Sequence, residues 1–135
     1  MSELSCTPSQ TVGPFFGMGL PYPRDSELVG DELPGLIRLR GTVYEGAGAG
    51  VPDALIELWQ PDGAGRIARA AGSRRRDGQT FTGWGRAATG VDGHYGFTTL
   101  APGSASAERP PFFDITVFAQ GPNETVFLAY GDDLR

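Results

Sequence analysis

Turn-forming residues interrupt this chain at short intervals, and this spacing constrains its fold more than any other feature. The 135 residues include 21 glycines and 11 prolines, and no stretch shows a convincing helical period. Between the turns, apolar and polar residues alternate. Ile37 and Leu39, for example, alternate with Arg38 and Arg40. Short alternating segments with close turns predict an all-β protein, an antiparallel two-sheet β-sandwich.

The alternation places the strands and turns individually. The predicted strands cover residues 37–44, 54–59, 81–88, 95–100, 112–118 and 125–130, and the predicted turns cover residues 45–50, 61–63, 92–93 and 101–103. Asp92-Gly93 is a dipeptide typical of hairpin turns. Residues 62–80 are polar, rich in glycine and basic, and we interpret them as a solvated loop because runs of charge usually face water.

The chain has the length of one domain with an extension. Residues 1–34 carry too many glycines and prolines for regular structure and too many apolar residues for a disordered tail. They predict an extended N-terminal arm that lies against its own sheet or against another subunit. The sandwich core is then expected to cover residues 35–135.

Charge and hydropathy exclude several classes of partner. The formal net charge of −5 disfavours nucleic acid and anionic membranes. No apolar run approaches the ~18 residues of a membrane span, and the first residues show no signal-peptide pattern. We expect no nucleic acid partner, no membrane partner and a cytoplasmic protein.

Metal-binding side chains are scarce. The chain contains one histidine, His94, and one cysteine, Cys6, which cannot build a zinc site of the usual kind. His94 follows a turn and is expected at the surface, and Cys6 is expected to be unreactive. The large aromatic residues are expected in strand packing, in the core or at an interface. These are Tyr44, Tyr95, Trp59 and Trp84.

Four blocks of sequence occur in an order that resembles one family. They cover residues 7–16 (TPSQTVGPFF), 41–60, 81–103 and 109–119, and together they span most of residues 7–120. This ordered set resembles the intradiol ring-cleavage dioxygenases. The resemblance implies a β-sandwich fold and a non-haem ferric ion held by two tyrosinates and two histidines, which binds a catechol directly.

The resemblance also implies that this chain does not hold the iron. Catalytic members carry His-x-His after Arg-Pro-Ala, whereas this chain has Phe112 and Asp114 at those positions. The tyrosine expected after Pro102-Gly103 is also missing. The family pattern then implies a non-catalytic subunit of a dioxygenase. The Fe(III) would be held by the partner beta chain, an iron-bearing sister subunit, in a higher hetero-oligomer.

The arm supplies the substrate-binding residues that the resemblance implies. Its Gly-Pro-aromatic turn would line the partner's pocket for a small aromatic substrate, and Gln120 would face the substrate anion. The implied residues are Thr11, Gly13, Pro14, Phe15 and Gln120. Gln120 stands where the family's non-catalytic chains carry arginine, so we expect weaker binding of a carboxylate.

Two other interpretations stay open. The turn motifs alone would fit a stand-alone β-sandwich that serves as a binding or structural module without an enzymatic role. The second is an iron enzyme that draws ligands from several copies of this chain.

Residues 121–127 resemble the family's final strand joined directly to the preceding block. We therefore expect a sandwich that is C-terminally shortened relative to the family, with open edges.

Overall fold

The computed structural model describes residues 20–69 and 76–119, which form five strands and no helix. The strands are β1 (Leu36–Thr42), β2 (Leu55–Trp59), β3 (Trp84–Ala88), β4 (His94–Leu100) and β5 (Asp114–Phe118). Each lies within or next to a segment predicted from the alternation. The predicted strand at residues 125–130 lies outside the described residues.

The strands form two antiparallel sheets. β1 pairs with β4, and Leu39 lies opposite Phe97. The second sheet has the order β3-β2-β5, so Glu57 of the central strand lies opposite Arg86 on one side and Thr116 on the other. The predicted all-β architecture with two antiparallel sheets is therefore confirmed.

The turn at Asp92-Gly93 does not close a hairpin, contrary to our expectation. Gly93 has a positive φ of 80°, and its amide donates to the carbonyl of Gly90 at 2.9 Å. However, β3 before the turn pairs with β2, whereas β4 after it pairs with β1. The turn thus carries the chain from one sheet to the other, a choice that depends on pairing partners distant in sequence.

The core lies between the inner faces of the two sheets. The period of two in β2 turns Ile56 and Leu58 inward, while Glu57 and Trp59 point outward. The buried cluster consists of Leu28, Ala54, Ile56, Leu58, Ala87, Phe97, Phe113 and Ile115. Leu28 belongs to the predicted arm and is nevertheless 0% exposed. The domain boundary at residue 34 stays a prediction.

A buried amide ties one sheet to the other. Gln60 follows β2, and its Nε2 donates to the carbonyl of Leu100 at 2.8 Å and to that of Pro61 at 3.2 Å. Its Oε1 accepts from the Thr99 hydroxyl at 2.6 Å. The buried Thr99 hydroxyl thus has an acceptor for its hydrogen. The Gln60 side chain therefore stabilises the contact between the two sheets.

No helix within the two described ranges has the length and hydropathy needed to cross a bilayer.

Candidate functional site

The outer face of the β3-β2-β5 sheet concentrates charged and aromatic side chains. Strand alternation turns them away from the core, and the pairing register brings them side by side. They are Trp84 and Arg86 from β3, Glu57 and Trp59 from β2, and Asp114 and Thr116 from β5. We call this surface the outer face.

Arg86 forms the central ion pair of the outer face. Its Nη2 and Nε donate to Glu57 Oε1 at 2.6 and 3.1 Å, and the two side chains are 13% and 25% exposed. Its Nη1 donates to the Leu20 carbonyl at 2.8 Å. The guanidinium also lies 5.1 Å from the centroid of the Trp84 ring. Arg86 therefore joins β2 and β3 to the chain segment around Leu20, 66 residues earlier in the sequence.

Arg76 approaches the same region from the loop before β3. Its Nη2 donates to the Tyr22 hydroxyl at 2.8 Å and to the Trp84 carbonyl at 2.9 Å, and its Nη1 donates to the Thr82 hydroxyl. Its Nε is buried without a hydrogen-bond partner among residues 20–69 and 76–119. The interpretation of residues 62–80 as a solvated loop is therefore wrong at Arg76, whereas Arg66 in the same segment is exposed.

Two arginines lie beside a pair of stacked aromatic rings. Tyr22 stacks on Trp84 with ring centroids 6.4 Å apart and an interplanar angle of 11°. Arg76 lies 5.6 Å from the Tyr22 centroid, and Arg86 lies over the Trp84 ring. Arg76, Tyr22, Trp84 and Arg86 are hereafter called the arginine–aromatic stack, which combines cation–π contacts with aromatic stacking.

The residues at the two histidine positions of the catalytic family do not fit a ferric ion. Phe112 packs against Trp59 with centroids 5.8 Å apart, and a phenyl ring has no ligand atom. Asp114 lies opposite Trp59 in the sheet and offers a single carboxylate. Within residues 20–69 and 76–119, no three His, Cys, Asp or Glu side chains come together as a metal site.

His94 is an exposed surface residue, as expected. Its Nδ1 lies 2.5 Å from the Thr42 hydroxyl, and its Nε2 lies 3.5 Å from Asp92 Oδ2. These neighbours are one hydroxyl and one carboxylate, both at the surface.

The tyrosines differ from each other. Tyr95 packs edge-on against Phe97 with centroids 6.0 Å apart, and burial raises the pKa of its hydroxyl above the ordinary value of 10.0. Tyr44 is 64% exposed, so the expectation that it packs in a strand is wrong. It follows β1 and pairs with Gly50 through an isolated bridge. Both tryptophans are half-buried on the outer face.

The five predicted substrate-binding residues, Thr11, Gly13, Pro14, Phe15 and Gln120, all lie outside the described residues. The described residues nearest to them are Leu20, which lies within the predicted arm, and Ala119 after β5. The arginine–aromatic stack was missed because its members are distant in sequence. Tyr22 and Arg76 are 54 residues apart, and no spacing pattern announces such a contact.

Comparison with known proteins identifies related chains. A family model described as "Dioxygenase" matches residues 12–124. The protocatechuate 3,4-dioxygenase alpha chain of Burkholderia cepacia is 36% identical, covering 98% of this chain and 73% of the relative. The alpha chain of Pseudomonas putida is 35% identical, covering 87% and 64%. The beta chain of Burkholderia cepacia is 29% identical, covering 88% of this chain and 51% of its own length.

A solved structure shares the fold. The dioxygenase domain of a dioxygenase–carbohydrate-binding protein fusion from Streptomyces sp. SirexAA-E has a TM-score of 0.57 and 26% identity, covering 92% of this chain and 72% of that one. The family model covers more than half of the chain, and the alpha-chain relatives extend along most of it. This chain therefore belongs to the intradiol ring-cleavage dioxygenase family, with protocatechuate 3,4-dioxygenase alpha chains among its relatives.

Proposed function

We propose that this chain is the non-catalytic alpha subunit of a protocatechuate 3,4-dioxygenase. The complete enzyme cleaves protocatechuate (3,4-dihydroxybenzoate) between its hydroxyl-bearing carbons with O2 and gives 3-carboxy-cis,cis-muconate. The observation that carries the proposal is the pairing of alpha-chain similarity along 98% of this chain with a phenylalanine packed on Trp59 at a histidine position.

The iron of the complete enzyme belongs, in this proposal, to a beta subunit. The intradiol family uses a non-haem ferric ion, which supplies the Lewis acid that binds the catechol. Phe112 cannot supply a ligand, and Asp114 alone cannot hold the ion. The role of this chain is then to shape the substrate pocket and to form the subunit interface in a higher hetero-oligomer.

The arm is the proposed contribution of this chain to substrate binding. Thr11, Gly13, Pro14 and Phe15 would line the pocket wall at the partner's iron. Glycine lets a backbone approach a ligand closely, and proline fixes a turn without an additional N–H donor. Gln120 would face the carboxylate of the substrate as a neutral hydrogen-bond donor.

Co-expression tests the proposal directly. The full chain is purified alone and together with an iron-bearing beta chain, and iron content, visible absorbance and oxygen uptake with protocatechuate are measured. We expect a colourless and inactive chain alone and a coloured, active complex for the pair. Stoichiometric ferric ion and turnover in the chain alone would contradict the proposal, and so would failure of the two chains to associate.

The role of Gln120 has a sharper test in the active pair. Gln120→Arg restores a cation, so the KM for protocatechuate should fall by about tenfold, which corresponds to ~1.4 kcal/mol of added binding. The KM for catechol, which lacks the carboxylate, should change little. Gln79→Arg is the matched control, because Gln79 is exposed in the loop before β3. An equal effect of both variants, or an equal effect on both substrates, would refute this role.

Truncation separates the proposal from the alternative of a stand-alone module. Removal of residues 1–19 deletes none of the described residues, so we expect a simple binding or structural module to keep its stability and any partner. The active pair should lose its turnover, because the pocket wall is removed. Unchanged activity after truncation would favour the module.

Two further parts of this proposal concern organisation and location. We propose that the chain divides into an arm (1–34) and a core (35–135). We also propose that the protein is cytoplasmic.

A further inference from the structure

We infer that Arg86 and Arg76 are positioning residues that hold residues 20–28 against β3 and thereby set where the arm enters the partner's substrate pocket. We call residues 20–28 the arm root. The inference rests on the proposed function, because it gives the arm a place in the shared site. It adds a mechanism, since neither arginine contacts the substrate and both act through the chain segment that leads to Phe15.

The Arg86 guanidinium binds both β2 and the arm root. One planar guanidinium binds Glu57 through Nη2 and Nε and the Leu20 carbonyl through Nη1. The Arg86 amide also donates to the Asp25 carbonyl at 2.8 Å. Arg86 of β3 therefore forms hydrogen bonds to the arm root at both Leu20 and Asp25. Because the Arg86 side chain is 13% exposed, solvent screens this ion pair less than a surface pair.

The Arg76 guanidinium also forms hydrogen bonds to the arm root. Its Nη2 binds the Tyr22 hydroxyl at 2.8 Å and also reaches the Asp25 carbonyl at 3.5 Å. The Tyr22 ring is close to both Arg76 and Trp84 in the arginine–aromatic stack. Three residues of the arm root, Leu20, Tyr22 and Asp25, are thus each bound by an arginine side chain from outside the root.

The arm root lies very close to β3 at Gly85. A Cβ atom on Gly85 would lie 2.5 Å from Leu28 Cδ1 and 3.0 Å from the Asp25 carbonyl oxygen. Only glycine leaves room for the root at this distance. The Leu28 amide and carbonyl are bonded to Thr98 and Thr82 at 2.9 Å each. The root is therefore fixed from Leu20 to Leu28.

A fixed root limits where the arm can go. Phe15 is five residues before Leu20, so its Cα lies within ~18 Å of Leu20, and Thr11 lies within ~32 Å. A loosened root no longer fixes the point from which the arm starts. The fraction of complexes with the arm in the pocket then falls, and the apparent substrate affinity falls by the same factor.

The test uses variants of this chain in the complex with the iron-bearing beta chain. Arg86→Lys keeps a charge beside Glu57 but cannot bind Glu57 and Leu20 in one plane. Tyr22→Phe removes one acceptor of Arg76, the Tyr22 hydroxyl, and keeps an aromatic ring beside Trp84. Arg66→Lys is the matched control, since the Arg66 side chain is 80% exposed and forms an ion pair with Asp62.

We expect Arg86→Lys to raise the KM for protocatechuate by about fivefold and Tyr22→Phe by about twofold, with kcat within about twofold of the parent. Iron content and subunit assembly should not change, and Arg66→Lys should behave as the parent. Chymotrypsin cleavage at Phe15 and Phe16 in the intact complex should accelerate in both variants, which reports on the arm without reference to turnover.

The outcomes separate the two proposals. A parent complex without activity means that the proposed function has failed. A parent complex with activity, together with unchanged KM and unchanged cleavage in both variants, overturns the positioning role alone. Loss of iron or of assembly in Tyr22→Phe would also overturn it, because the contacts would then serve stability. If Arg86→Lys fails to fold, the result for Tyr22→Phe decides.

Discussion

Replacement of Gln60 by leucine tests how the two sheets are held together. Gln60 is 0% exposed, and its amide bonds the Thr99 hydroxyl at 2.6 Å and the Leu100 carbonyl at 2.8 Å. Leucine has nearly the same size but neither donor nor acceptor. The Thr99 hydroxyl, whose residue is also 0% exposed, would then lose its acceptor inside the core.

The magnitude follows from the groups left unpaired. A buried polar group without a partner costs about 1–3 kcal/mol, and Gln60→Leu strands the Thr99 hydroxyl and the Leu100 carbonyl. Additional apolar burial offsets part of this cost, so we expect a loss of about 2–4 kcal/mol in the free energy of unfolding. With an m value of about 1.5 kcal/mol/M, a loss of 3 kcal/mol lowers the urea midpoint by about 2 M.

A double-mutant cycle with Thr99→Val isolates the contact. Thr99→Val alone strands the Gln60 Oε1 and should cost about 1–3 kcal/mol, whereas the double variant removes both polar groups together. We expect the double variant to lose about 1–2 kcal/mol less than the sum of the single variants. Urea unfolding of the full chain, followed by tryptophan fluorescence, measures all four proteins. Strictly additive losses would refute the proposed sheet-to-sheet bond.

Three further predictions concern stability and titration. Leu28→Ala should lower the free energy of unfolding by about 2–5 kcal/mol, measured by urea unfolding, because Leu28 is fully buried in the core; Ile67→Ala, at an exposed position, should cost much less, and equal losses would contradict the placement of the arm root. The Thr80 hydroxyl, followed by the Thr80 and Gln79 amides, lowers the pKa of Asp77 from 3.8 to about 2. Ionised Asp77 therefore contributes stability above pH 3.8 that is lost as the pH falls through about 2, so the stability difference between the parent and Asp77→Asn should shrink over that range in acid unfolding curves; a constant difference would count against it. Burial raises the pKa of Tyr95 above 10.0, so its neutral form stabilises the fold and this contribution falls as the pH rises above 10.0. Tyr95→Phe should lack that fall in alkaline unfolding curves, and identical curves would show that Tyr95 is not the group responsible.

The strand positions were predictable because alternation is a local property. Ile56 and Leu58 alternate with Glu57 and Trp59, and the structure places the first pair in the core and the second on the outer face. The turn at Asp92-Gly93 was also predictable, since Gly93 adopts the positive φ that favours glycine. Its role as a link between sheets was not, because each strand's partner is chosen by distant residues.

The candidate site divides in the same way. The absence of a histidine at position 112 could be read from the resemblance, and the packing of Phe112 on Trp59 is consistent with it. The proposed arm residues and Gln120 lie outside the described ranges, so their roles stay proposals. Arg76 was misjudged, because a charge in a basic, glycine-rich segment gives no local sign of a partner 54 residues earlier.

From the order of its residues alone, this chain could be assigned a strand-rich fold and the dioxygenase family, since composition, period and motif order are properties of neighbours along the chain. Tertiary structure alone decided which strands pair, that Leu28 completes the core and that Arg86 and Arg76 converge on the arm root. Those contacts join residues separated by tens of positions, and their formation depends on burial, close packing and geometry in three dimensions.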